Sequence, residues 1–326
     1  MTSPAPSRET ARPRASVVVP TLNARPHLDD LLRVLRAQRP CPPEEIILVD
    51  SGSTDGTAAC AALEPGVQVV AIERFSHGGA RNLGTTRSRG EIVVFLSQDA
   101  LPADERWLSG LLAPLEDAGV GAVFSRQVPR PGANPMERHF LETHFPPGEP
   151  RIMRRRGGGH LLFQRDVFFS NVSAAVRRDL LLRHPFDENL IMSEDQQCAR
   201  DLLLAGHAVA YAPASVVVHS HDYTLRQAFE RYFDSVYSLT KIFPRHDIGR
   251  SASVGTSYLR EEATMMLRRH PAMLPRYAGY VLAKGGGTNR GHFAERLPRG
   301  LARRLCMHKS YWEPPGRPRA SGPARP

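Results

Sequence analysis

The side chains able to do chemistry in this 326-residue chain gather where short apolar runs stop. Ile92 to Leu96 is apolar without a break and ends at Ser97-Gln98-Asp99. A carboxylate there is either a handle for a metal ion or phosphate, or the start of a polar turn. Taken alone, the turn is the stronger account of Asp99. Ile46 to Val49 ends at Asp50-Ser51-Gly52-Ser53-Thr54-Asp55-Gly56. Asp50 could accept hydrogen bonds from a base or ribose, while Asp55 suits an Asx turn. Ser193-Glu194-Asp195-Gln196 reads as a helix start, with Ser193 as N-cap and Gln196 at N3 of a capping box. Acids in a first turn offset the helix dipole, which is a sufficient account of Glu194 and Asp195. Val216 to Val218 ends in His219-Ser220-His221-Asp222. A neutral imidazole can ligate a divalent cation, although lone histidines are usually structural.

The elements that must position these groups follow from periodicity. Short apolar runs rich in β-branched residues predict strands buried on both faces, at Ser16–Val19, Ile46–Val49, Val67–Ile72 and Ile92–Leu96. Leu28, Leu31, Leu32 and Leu35 share one face of a helix that starts near Pro26 and is over by Pro40. Strands alternating with helices predict an α/β fold with a doubly wound, mainly parallel sheet, which binds its ligands at the carboxyl edge. The first strand-to-helix turn, P-T-L-N-A-R-P, lacks the G-x-G-x-x-G of a dinucleotide site, which argues against hydride transfer. Further along, Val167–Val176 reads as a buried strand and Arg126–Asp166 as a loop rich in Pro, Arg and Gly. Cys198, Leu202 and Ala205 form the stripe of a helix that Gly206 ends. The chain reads as helix from Leu225, over Thr256–Arg269 and over Leu297–His308.

Charge is unevenly placed. The formal net charge is +10, yet residues 276–326 hold eleven Lys or Arg against two Glu, leaving the rest at 32 basic against 31 acidic. A near-neutral body argues against nucleic acid as a partner despite the high isoelectric point. The four cysteines are scattered with no C-x-x-C pair, which fits a reducing cytosol, and no apolar run reaches the roughly 18 residues of a membrane span. The first residues carry no apolar leader, so a cytoplasmic location is expected. The expected divisions are tails at 1–14 and 313–326, a catalytic domain at 15–240 and a helical, basic C-terminal extension at 241–312.

Taken together, P-T-L-N, V-D-S-G-S-T-D-G, F-S-H-G-G-A-R-N-L-G and L-S-Q-D-A resemble family 2 glycosyltransferases of GT-A fold, from about Ser16 to Tyr237. H-G-G-A-R-N, S-Q-D-A-L-P-A-D, R-Q-V-P-R-P-G-A-N-P and S-E-D-Q resemble the bacterial rhamnosyltransferases among them. The resemblance implies that Asp50, with Thr21 and Asn23, binds the nucleotide, that Arg81 lies near it or its diphosphate, and that Asp195 is the catalytic base. Gln98-Asp99 stands at the D-x-D motif, with Asp99 as metal ligand and Ser97 in place of the first acid. That leaves the metal short of one carboxylate. His219 is the first candidate to complete its shell, and His221 the second. His77, Glu194 and Arg231 are further candidates for the site.

The expected activity is therefore inverting, metal-dependent transfer with Mg²⁺ or Mn²⁺. The expected donor is dTDP-L-rhamnose, and the expected acceptor a glycan or polyprenyl-linked glycan in cell-surface polysaccharide synthesis. A non-catalytic sugar-nucleotide or glycan-binding module on the same fold is the alternative, along with a transferase for another nucleotide sugar. Leu297, Leu301 and Leu305, interleaved with arginines, suggest peripheral attachment to an anionic inner membrane face, or equally packing of the leucines on the body.

Overall fold

The computed structural model describes residues 15–40, 42–155, 166–243 and 252–313. The expected terminal tails lie outside these residues, apart from Glu313, as does most of the R-R-R-G-G-G-H stretch. The first half alternates as read: β1 (Ala15–Thr21), α1 (Arg25–Arg36), β2 (Glu45–Asp50), α2 (Thr57–Ala62), β3 (Val67–Ala71), α3 (His77–Arg87) and β4 (Ile92–Leu96). The short β5 (Leu101–Pro102) and α4 (Trp107–Leu112) lead to β6 (Val120–Val128), α5 (Pro135–His144) and β7 (Arg151–Met153). Then come β8 (Ser173–Arg177), α6 (Arg178–Arg183), α7 (Glu194–Leu204) and β9 (Ala208–Val218). Among the described residues there follow α8 (Leu225–Ile242), α9 (Ala252–Arg269), α10 (Leu274–His292) and α11 (Arg299–Leu305).

Among the described residues the strands make one nine-stranded sheet in the order β3-β2-β1-β4-β8-β6-β9-β5, with β7 also on β9. β1, β2, β3, β4, β6 and β9 run one way, and β5, β7 and β8 oppose them. The sheet is thus mixed but mostly parallel. Alternation puts Val17 and Val19 on one face with Leu28, Leu31, Leu32 and Leu35 of α1, and Val18 on the other with Ala80 of α3. Each such leucine, fully buried, contributes about 1.5–3 kcal/mol. α3 lies so close to β1 that a Cβ on Gly84 would come within 2.2 Å of Val18.

Three expectations are corrected by this architecture. The stretch expected as a loop holds the end of β6, all of α5 and all of β7. Asn134 caps α5 by accepting from the Glu137 N–H, with Pro135 at the first position, an ordinary helix start. The strand expected over Val167–Val176 begins only at Ser173. Ahead of it, Ser97 N–H donates to the Val172 carbonyl at 2.9 Å, which ties the segment to the end of β4 as a turn. The helix expected over Leu297–His308 is confined to α11, since Leu297 is extended and Pro298 caps the start.

The C-terminal elements pack on α8 and its neighbours rather than standing apart. Leu297 and Leu305 pack against Ile191, Phe233 and Tyr237, whereas Leu301 is exposed. The three leucines therefore do not form one outward apolar stripe. α10 crosses α8 at close range: a Cβ on Gly287 would meet the Phe229 carbonyl oxygen at 2.3 Å, and one on Gly291 the Phe233 carbonyl at 2.6 Å.

Candidate active site

The carboxyl ends of the parallel strands lie along one edge of the sheet, and the cavity there is lined by residues at the ends of β4, β6 and β9 and on α7 and α8. It has a volume of about 570 Å³. The Asp50 carboxylate accepts from the N–H groups of Gly52 (3.0 Å) and Ser53 (2.9 Å), from the Ser53 hydroxyl and from the Thr21 hydroxyl (3.4 Å). Asn23 adopts a left-handed backbone (φ 52°), and its Oδ1 accepts from the Thr54 N–H at 2.9 Å. Gln98 clips the Leu22 backbone from both sides, accepting at 2.8 Å and donating at 3.1 Å. Thr21, Asn23, Asp50 and Gln98 thus form one preorganised loop cluster at the ends of β1, β2 and β4.

On the cavity wall, Asp99, His219 and His221 bring their ligand atoms within 4.8 Å of one another. Asp99 Oδ1 lies 3.6 Å from His219 Nε2, and Oδ2 lies 3.9 Å from His221 Nδ1. Gln127 Oε1 sits 3.0 Å from Nδ1 of His219, an arrangement that fixes the ring and leaves Nε2 as the ligand atom. Burial pushes the His219 pKa down to about 3 against the pull of Asp99, so the ring is neutral. Burial also lowers His221, whose ring stacks on Tyr223. One carboxylate and two neutral imidazoles form a set that fits a divalent metal. Both histidine rings face the Asp99 carboxylate. Arg130 donates to the Asp99 backbone carbonyl and reaches to 3.9 Å from its carboxylate.

Glu194 and Asp195 share the first turn of α7 but sit in opposite electrostatic settings. Burial acts to raise Glu194, but the Arg81 guanidinium at 3.0 Å overcomes it and holds the carboxyl below its ordinary value. Burial, then repulsion from Glu194, pushes Asp195 up to about 7, although Gln196 N–H donates to it at 2.8 Å. Neighbouring carboxyls with pKa values driven apart are a pattern of acid–base sites. The expected capping box is absent. Ser193 has φ 64° and caps nothing with its side chain, while Gln196 Nε2 donates to the Phe169 carbonyl at 2.6 Å. The left-handed turn swings the hydroxyl away from the helix end and lets Asp195 supply the bond instead.

The far wall carries Arg231, which stacks over Tyr223 at 5.5 Å, and beside it Glu137, Tyr280 and Lys284. His77, at the start of α3, lines the cavity next to Arg81. Sequence reasoning missed Gln127 and Arg130, although both fall in the R-Q-V-P-R-P block, and missed His308, whose approach nothing local announces.

A model of the family described as glycosyl transferase family 2 matches residues 16–184. The chain belongs to that family. This glycosyltransferase is 32% identical over 304 residues to the O-antigen chain rhamnosyltransferase RfbN of Salmonella typhimurium, covering 92% of this chain and 96% of that one. It is equally 32% identical over 305 residues to the O-antigen chain rhamnosyltransferase WbaN of Salmonella anatum, covering 92% and 96%. Among solved structures it resembles the mannosyltransferase PcManGT from Pyrobaculum calidifontis, solved with GDP-Man and Mn²⁺. That likeness has a TM-score of 0.57 and 20% identity, and covers 86% of this chain and 88% of that one. Staphylococcus aureus TarS 1-349 is similar at TM-score 0.51 and 18% identity, covering 90% and 83%. These likenesses establish the GT-A fold. No helix among the described residues is long and apolar enough to cross a membrane.

Proposed function

We propose that the enzyme is an inverting, metal-dependent rhamnosyltransferase that moves L-rhamnose from dTDP-L-rhamnose to a hydroxyl of a lipid-linked glycan in cell-surface polysaccharide synthesis. The observation that carries this reading is the meeting of Asp99, His219 and His221 with Asp195 in a single cavity. Its support for rhamnose is the identity to RfbN and WbaN over nearly the whole chain.

In this reading Thr21, Asn23, Asp50 and Gln98 shape the loop edge that seats the nucleotide. Asp99, His219 and His221 hold the metal. Their mixed oxygen and nitrogen set suits Mn²⁺ better than Mg²⁺, which prefers oxygen ligands and gives up its waters reluctantly. When bound, the ion offsets negative charge developing on the leaving diphosphate. Arg130 and Arg231 add fixed positive charge on the same side. Asp195 takes the proton from the acceptor hydroxyl as that oxygen attacks the anomeric carbon. A base with a pKa near 7 is matched to this task at neutral pH. Arg81 keeps Glu194 ionised, and Glu194 in turn maintains the basicity of Asp195.

The catalytic domain of this reading spans 15–240, and the helices from 241 to 312 are its basic extension. Peripheral attachment to an anionic membrane face, close to a lipid-linked acceptor, is part of the same proposal. It would use exposed Leu282, Phe293 and Leu301 together with the basic residues of α10 and α11. Sedimentation with anionic liposomes at low salt tests attachment, and no binding would remove it. The central experiment is transfer and hydrolysis over a panel of nucleotide sugars with and without Mn²⁺. The reading expects dTDP-rhamnose to turn over best and only with metal. Preference for a GDP-sugar, or full activity in chelator, would overturn it.

A further inference from the structure

The C-terminal segment reaches back into the cavity through a chain of three side chains. Asp234, midway along α8, is fully buried. Its Oδ2 accepts from the N–H groups of Met307 and His308, each at 3.0 Å, and lies 2.9 Å from Nδ1 of His308. Nε2 of His308 lies 3.0 Å from Nε2 of His77, with the two rings edge to face at 81°. His77, His308 and Met307 all line the cavity beside Arg81, Glu194 and Asp195. These groups lie 231 and 74 positions apart in sequence, so only the completed fold assembles them.

The bonding pattern places the first proton. A carboxylate accepts only, so Nδ1 of His308 carries a hydrogen toward Asp234. His77 is neutral, because burial, with His308 next in effect, pushes its pKa down to about 3. With Nε2–H of His77 donating to Nε2 of His308, the line of bonds from Asp234 to His77 is complete. The remaining ring nitrogen of His77 is Nδ1, an acceptor. A buried latch would need no second imidazole and no place on the cavity wall.

We infer that His308, oriented by Asp234, is a positioning residue that fixes the tautomer of His77 and leaves Nδ1 of His77 to accept a hydrogen bond from a sugar hydroxyl. The C-terminal segment is thereby part of the transfer site. This rests on the reading of the cavity as the place where the sugar is held.

The test uses full-length protein and whichever nucleotide sugar turns over best. His77→Ala and His308→Ala should each lower kcat/KM roughly tenfold, the scale of one hydrogen bond in a site. The double variant should be no worse than His77→Ala alone, since His308 acts through His77. His308→Gln should keep most of the rate, because its amide can donate to Asp234 and accept from His77. Additive losses, or a His308→Ala effect within about twofold, would overturn the inference. Long-range ¹H–¹⁵N spectra give a readout independent of turnover. They should find the His77 proton on Nε2 in the parent protein and exchange between tautomers in His308→Ala. A His77 tautomer indifferent to His308 would overturn the inference even if no donor in the panel reacted, whereas absent turnover alone would count against the proposed donor.

Discussion

The two halves of the sheet's carboxyl edge solve opposite problems. At the ends of β1, β2 and β4, polar groups satisfy one another: Asp50 takes backbone and hydroxyl donors, Asn23 takes the Thr54 N–H, and Gln98 clips Leu22. Around α7 and β9 the groups are held in tension. Asp195 is pushed up, His219 and His77 are pushed down, and Arg81 Nε and Asn171 Oδ1 are buried without a hydrogen-bond partner. The first half behaves as scaffold, whose side chains shape a loop. The second stores unfavourable electrostatics that a substrate or ion can relieve, which is where chemistry is expected. Substitutions in the scaffold should therefore cost stability, and substitutions in the strained half should cost rate.

The sharpest break should come at Asp99. Asp99→Asn removes the carboxylate of the proposed metal cluster, and transfer should fall by at least roughly 10³-fold, with metal titration by calorimetry losing its signal. Asp195→Asn follows, with a loss of roughly 10²–10⁴ in kcat and nearly unchanged nucleotide affinity. Normal turnover in that variant would reduce Asp195 to an acid at a helix start.

The pH dependence is expected to be smaller and to have a definite sign. In the proposed role Asp195 works as a carboxylate, and its pKa is pushed up to about 7, so the rate should rise about tenfold per pH unit below that value and level off above it. The raised pKa also means that the fold loses stability as pH rises from the ordinary carboxylate range to about 7, where the penalty becomes complete. Asp195→Asn should accordingly raise the melting temperature more at pH 8 than at pH 6.

Asp50→Ala tests the scaffold half. It leaves the Gly52 and Ser53 N–H groups without their acceptor, and denaturant titration should find a loss of about 1–3 kcal/mol. A variant that kept full stability and lost only rate would erase the distinction between the halves. The smallest effect is expected at Ser193, whose φ of 64° suits glycine. Ser193→Gly should hold stability or raise it by about 1 kcal/mol in thermal unfolding.

The strands of the first half were legible because buried parallel strands are written as unbroken apolar runs, and their ends mark the ligand edge. Asp99 and His219 could be singled out because they follow such runs, whereas Asp195 was singled out only by the resemblance of whole blocks. α5 was not, since its cap, Asn134 with Pro135, sits in a stretch whose arginines and prolines look like loop. α10 was not read either. Gly285-Gly286-Gly287 looks like a helix breaker, yet two of the α10 glycines, Gly287 and Gly291, exist to let its backbone meet α8. The Ser193 capping box failed because a local pattern cannot reveal a positive φ. His308 and Asp234 were invisible because their meeting depends on tertiary structure alone.

One helix is shared by three hydrophobic clusters. α8 gives Leu239 and Ile242 to the core under the sheet, Phe233 and Tyr237 to the cluster that seats α11, and Ala228 to the cluster under α10. The expected boundary at residue 240 falls inside it. A helix that belongs to three packings cannot be released by any one of them. Amides of α8, α10 and α11 should therefore exchange with solvent through the same opening event as the β1 and β4 amides. The chain would then lose its C-terminal helices only by losing everything.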